Sequence, residues 1–250
     1  MSNVIQIVSL ILALLATSCS SNEPRAIFRS KSDERVPKKA VASTDVPQYP
    51  WNDSTSSLQV VTKEFFRCKG SSLNPPHIIY ENGKEKDRTW DCGGVERHGL
   101  PVRNGEEYVY PALLEILNFI QTSLKKPVII TSGHRCPSHE QYVGSTSSKH
   151  LIAAAVSFMV EGHETRPERV VREIVRYYEV NPLFAGIKFT QTETGWKNKE
   201  VFFRVYTPTD GRNLDNRHPF PYIELEVRFD RQLSKPVTFS WGEAQTYLRK

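Results

Sequence analysis

Two apolar, β-branched runs stand near the middle of the chain, Val128-Ile129-Ile130 and Val156 to Val160. Between them lie two Gly, a Pro, several Ser and three His. This pattern predicts a buried strand, a polar loop and a second buried strand. Loops held by a rigid strand pair are where sites usually sit, and His134, Arg135, Ser148 and His150 all fall in this one. Upstream, Tyr110, Leu113, Leu114, Leu117 and Ile120 repeat with helical spacing, which predicts a helix from Tyr110 to Lys126 with one stripe facing the core. Pro111 suits its first turn, and Pro127 stops it.

Downstream, Thr165-Arg166-Pro167-Glu168 has the form of a capping box. The helix it opens, through Tyr178, buries Val170, Val171, Ile174, Val175 and Tyr178. Strands are expected at Ala185 to Thr190, Val201 to Tyr206 and Tyr222 to Phe229, and a short closing helix over Ser240 to Lys250. In the last of these strands Ile223, Leu225 and Val227 alternate with Glu224 and Glu226, so both carboxylates share one face. Ser71 to Gly105 and Thr209 to Pro221 are rich in Gly, Pro, Asn and charge and read as loops. The first is long enough to hold a flap or a short hairpin. Helices segregated from a mainly antiparallel sheet make the fold class α+β, with the helices packed to one side.

The chain of 250 residues has room for one good-sized domain plus tails. Residues 1–18 read as a signal peptide, with an apolar core from Val4 to Thr17 too short for an ordinary membrane span. Ala16-Thr17-Ser18-Cys19 looks like a bacterial lipobox, so Cys19 is the expected lipidation site and the membrane a partner through that anchor. Residues 19–57 are polar and without sustained period, a flexible tether; residues 58–250 form the domain. The expected location is the periplasmic side of a bacterial cell envelope. A net charge of +5 is too small to argue for nucleic acid, and no basic-aromatic motif accompanies it. In an oxidising compartment Cys68, Cys92 and Cys136 allow one disulfide in any of three pairings. No C-x-x-C pair suggests a zinc knuckle, so a staple across the loops is expected.

The central loop carries Ser132-Gly133-His134-Arg135-Cys136-Pro137, then Tyr142-Val143-Gly144, then Ser148-Lys149-His150 before an Ala-rich strand. This series resembles the zinc D-Ala-D-Ala carboxypeptidases of the peptidase M15 family, with their SG(Y/H)R turn, VGG-like turn and S-x-H-x-x-G-x-A-x-D motif. The resemblance extends over roughly Thr62 to Phe229. It implies a Hedgehog/D,D-peptidase-like fold, a zinc cofactor and peptidoglycan stem peptide as the ligand. It implies His150 as a metal ligand, Arg135 and Ser148 as substrate-binding residues, and a carboxylate base that activates zinc-bound water. Ser157 stands at the family's Asp ligand, Ala153 at its Gly, Glu224 at its second His, and Glu226 at the neighbouring carboxylate. Glu224 and His218 are substitute ligands and Glu226 a substitute catalytic base; His134 and His139 are further imidazoles in the loop. With a neutral hydroxyl at Ser157, the expected function is binding of a peptide without zinc hydrolysis. An active carboxypeptidase or endopeptidase with a rearranged metal site is the alternative.

Overall fold

The computed structural model describes residues 25–29, 35–39, 58–93, 99–144, 148–210 and 213–239. The signal peptide, Cys19 and the expected closing helix over 240–250 lie outside the described residues. Within the expected tether, strands β1 (Arg25–Arg29) and β2 (Arg35–Lys39) pair antiparallel, with Arg25 opposite Lys39 and Arg29 opposite Arg35. Ile27, Phe28 and Val36 supply β-forming residues that the polar background obscures in sequence. The segment Ser71 to Gly105 contains one short hairpin, β3 (His77–Glu81) with β4 (Lys84–Thr89), and the first strand of a second, β5 (Val102–Arg103) with β6 (Glu106–Glu107).

The core sheet has six antiparallel strands: β7 (Val128–Ser132), β8 (Ala155–Val160), β9 (Thr190–Gln191), β10 (Trp196–Lys197), β11 (Val201–Tyr206) and β12 (Tyr222–Val227). Their order is β7-β8-β12-β11-β10-β9. A small β13 (Phe229–Asp230) and β14 (Lys235–Pro236) pair follows. Helix α1 (Pro111–Leu124) lies on the sheet against β7, β8 and β12. Its Leu113, Ile116, Leu117 and Ile120 are fully buried, each worth about 2 kcal/mol of burial. Lys125, in the left-handed conformation, ends it just before Pro127.

Helix α2 (Pro137–Val143) lies inside the expected loop, and α3 (Pro167–Val180) packs on α1. The capping box at Thr165 does not form: the N-cap is Arg166, with no side-chain capping bond. The strand expected from Ala185 is shortened to β9, because a 3-10 turn over Pro182–Phe184 and Gly186 at φ 86° hold the intervening chain in turns. The molecule is therefore α+β, with a large antiparallel sheet and helices α1 and α3 on one side. The opposite face of β7 and β8 meets the segment around Asp215 and Asn216, both buried. Among the described residues no helix is long and apolar enough to cross a membrane.

Candidate functional site

The site grows from the end of β7. Gly133 passes so close to the one-turn 3-10 helix Lys63–Phe66 that a Cβ there would sit 2.6 Å from Phe66 Cα. That approach lets the His134 amide donate to Phe66 O at 2.6 Å. The Arg135 amide and His134 Nδ1 both reach the carbonyl of His150, at 3.2 and 3.0 Å. In return His150 Nδ1 donates to Gly133 O at 2.6 Å. A carbonyl on Nδ1 fixes a proton there and orients the ring, so that Nε2 faces away from the turn. His150 sits in the 3-10 turn Ser148–Ile152, and Ala153, at φ 52°, turns the chain out of it and into β8.

Cross-strand register brings the rest of the site alongside. Ser157 on β8 lies opposite Ser132 on one side and Glu224 of β12 on the other. His150 Nε2 is 3.9 Å from Glu224 Oε2, and both residues are buried. Burial pushes the Glu224 carboxyl up, but His150 and the charge of Arg135 outweigh it and hold the carboxyl below its ordinary range.

A buried ladder of charge supports this end of the sheet. Arg135 is fully buried; its Nε donates to Asp215 Oδ2 and Ser132 Oγ, both at 2.8 Å, and its Nη1 to Glu140 Oε2 at 3.0 Å. Burial opposes its charge, and Asp215 and Glu140 more than restore it, so its pKa is raised. Ser132 Oγ donates to Asp215 Oδ2 at 2.7 Å. The other oxygen of Asp215 meets His139 Nε2 at 3.0 Å, and His139 Nδ1 meets Asp91 Oδ1 at 2.5 Å. Burial lowers His139, yet Asp215 and Asp91 raise it to about 10. Burial raises Asp91, yet the hydrogen bond and charge of His139 bring it down to about 2.

The structure thus brings His150, Ser157 and Glu224 together. Glu226, the expected base, pairs with Lys149 at 3.2 Å. Ser148 opens the 3-10 turn. His218 is not drawn to the His150–Glu224 pair; its Nε2 meets Asn216 Oδ1 at 3.4 Å and its ring stands edge-on to Tyr222. Arg135 is held on both sides by carboxylates rather than standing open in the loop. Asp91, Glu140 and Asp215 were not singled out in sequence, because nothing in a polar loop marks which acid folds inward.

A catalytic zinc needs three protein ligands and an open position. The pair supplies one imidazole nitrogen and one carboxylate, and Ser157 adds a neutral hydroxyl in place of a charged ligand. Among the described residues no third His, Cys, Asp or Glu converges on His150 and Glu224. This donor set does not fit a catalytic zinc.

Residues 90–188 match the family model described as Peptidase M15. No curated protein and no solved structure matches the chain. The matched stretch runs from Trp90 through α1, the Ser132-Gly133-His134-Arg135 turn, His150 and β8, and stops short of β12. Over those residues, which include the charged turn and the strand that carries Ser157, the chain is similar to the peptidase M15 family.

Proposed function

We propose that this domain binds a peptide with a free carboxylate, such as a peptidoglycan stem peptide, and does not hydrolyse it through zinc. One observation carries the reading. Arg135 Nη2, Glu140 Oε1, His150 Nε2 and Ser157 Oγ are all buried and have no hydrogen-bond partner in the protein. Each such atom costs about 1–3 kcal/mol, and folds seldom tolerate a group of them unless a ligand uses them. Arginine suits a carboxylate because its planar fork bonds both oxygens. The substitution at Ser157 removes the charge that would complete a metal set. Lipidation of Cys19 would hold the domain on the periplasmic side of the envelope, within reach of such peptides. Loss of labelling by a radioactive fatty acid in Cys19→Ser tests that part.

The test of binding is calorimetry of the purified chain with a stem pentapeptide ending in D-Ala-D-Ala, beside an assay for released D-Ala with and without added zinc. Saturable binding that falls at least tenfold in His150→Ala, with no D-Ala released, supports the proposal. No heat at roughly millimolar peptide overturns it. Release of D-Ala that depends on zinc favours the second reading, an active carboxypeptidase or endopeptidase. That reading rests on one feature: the unpartnered Nε2 of His150 points at Glu224, with Glu226 two residues on.

A further inference from the structure

A second cluster of chemistry lies at the far end of the charge ladder. Cys68 leaves the 3-10 turn at Lys63–Phe66, Cys92 follows β4, and Cys136 and His139 stand three residues apart at the start of α2. Cys68 Sγ and Cys92 Sγ are 3.8 Å apart, and these two sulfurs and a ring nitrogen of His139 all lie within 4.8 Å of one another. The Cys136 sulfur caps α2, accepting from the His139 amide at 3.4 Å. No disulfide joins the three cysteines, against the staple expected from their compartment.

We infer that Cys68, Cys92 and His139 form a structural zinc site, separate from the His150–Glu224 pair, with Cys136 turning its side chain in as the fourth ligand. Zinc bonds to sulfur at about 2.3 Å, so two thiolates on a zinc tetrahedron are about 3.8 Å apart, the separation found here. A disulfide would need the sulfurs at about 2.05 Å. The surroundings are built for the cluster. A Cβ on Gly70 would lie 1.9 Å from Cys92 Sγ and 3.3 Å from His139 Nδ1, so the turn after Cys68 has room only for glycine. His139 Nε2 meets Asp215 Oδ1 at 3.0 Å, the carboxylate partner that orients a ligating imidazole whose other nitrogen faces the metal. Asp91, displaced from Nδ1 by the metal, keeps the amides of Ser71 and Cys92, at 3.0 and 2.7 Å, and the Asn74 amide. With Cys136 turned in, three thiolates and one imidazole would close a tetrahedron that selects zinc and leaves no position for a reacting water. The missing C-x-x-C spacing is supplied by folding: three separate segments meet at the metal. Bound there, zinc ties the turn at Lys63–Phe66, the loop at Asp91 and α2 together, and holds the residue before Cys136, Arg135, in place.

The full chain, expressed in zinc-supplemented medium and purified with a reductant, is assayed for metal content and then reloaded with cobalt. The site predicts one tightly held equivalent in the parent and in His150→Ala. It predicts at least a hundredfold weaker zinc binding in Cys92→Ser, with the fold checked by circular dichroism. Should that variant not fold, the cobalt protein itself decides, since intense thiolate-to-cobalt charge-transfer absorption requires cysteine ligands. Cobalt bound without that absorption, metal lost in His150→Ala but kept in Cys92→Ser, or a reduced chain that takes up no metal would each overturn the inference.

Discussion

Gly133→Ala tests whether the Ser132-Gly133-His134-Arg135 turn is dictated by space. Gly133 is not among the residues with positive φ, so its backbone angles do not demand glycine. Its Cβ would instead meet Phe66 Cα and O at 2.6 Å and Phe66 C at 2.9 Å, all backbone atoms that cannot swing aside. Carbon atoms rest at about 3.5–4.0 Å, so the two segments must part by roughly 1 Å. That movement costs about 1–3 kcal/mol of overpacking. It also breaks the His134 amide bond to Phe66 O, worth about 1 kcal/mol. The sum is about 2–4 kcal/mol, or a melting point lower by roughly 5–15 °C for a domain of this size. Urea unfolding at constant m-value measures it. Gly133 O also accepts from His150 Nδ1, so affinity for the stem pentapeptide should fall with stability. A loss below about 0.5 kcal/mol would refute the steric reasoning.

Three further outcomes are expected. Ala153, buried at φ 52°, pays about 1 kcal/mol for a left-handed conformation, so Ala153→Gly should leave stability unchanged or raise it by up to about 1 kcal/mol in urea melts; a clear loss contradicts the strain. Hydrogen bonds from Arg67 hold the Glu107 carboxyl below its ordinary range despite partial burial, so the folded state binds fewer protons than the unfolded chain in acid. Stability from this pair is full above about pH 4.3 and drains as pH falls below it; Glu107→Gln should flatten that acid limb of the urea midpoints, and an unchanged limb would exclude the pair as its source. The double variant Ser157→Asp, Glu224→His places a carboxylate and an imidazole beside His150 and should bind one zinc more than the parent, read by metal analysis; no gain would show that the loops are not positioned for a metal.

What could be read in the sequence was what repeats. The stripe of α1, the buried run of β8 and the alternation of β12 each follow one period, and the structure places them within a residue or two of expectation. His150 and Glu224 were set together by the resemblance, which placed both at metal-ligand positions, and the structure puts Nε2 of one 3.9 Å from Oε2 of the other. Helix α2 was not legible. It has seven residues, too few to show a period, and depends on Pro137 in its first turn, the Cys136 sulfur at its cap and Gly144 in the left-handed conformation at its end. The charge ladder was equally hidden. Arg135 meets Asp215 across 80 residues and His139 meets Asp91 across 48, and no local pattern records a contact of that range. For the same reason the three cysteines suggested a staple, while the fold sets two of them, Cys68 and Cys92, beside the imidazole of His139.

The strand order of the large sheet bears on how the protein is made. β12 is inserted between β8 and β11, although it is the last of the six to be synthesised. Until residue 227 has emerged, β8 exposes an unpaired edge, a template for pairing with other chains. Glu224 reaches His150 only when that final strand docks, so a nascent chain has no assembled site. A chaperone that shields β8 during synthesis would therefore guard both solubility and the eventual meeting of His150 with Glu224.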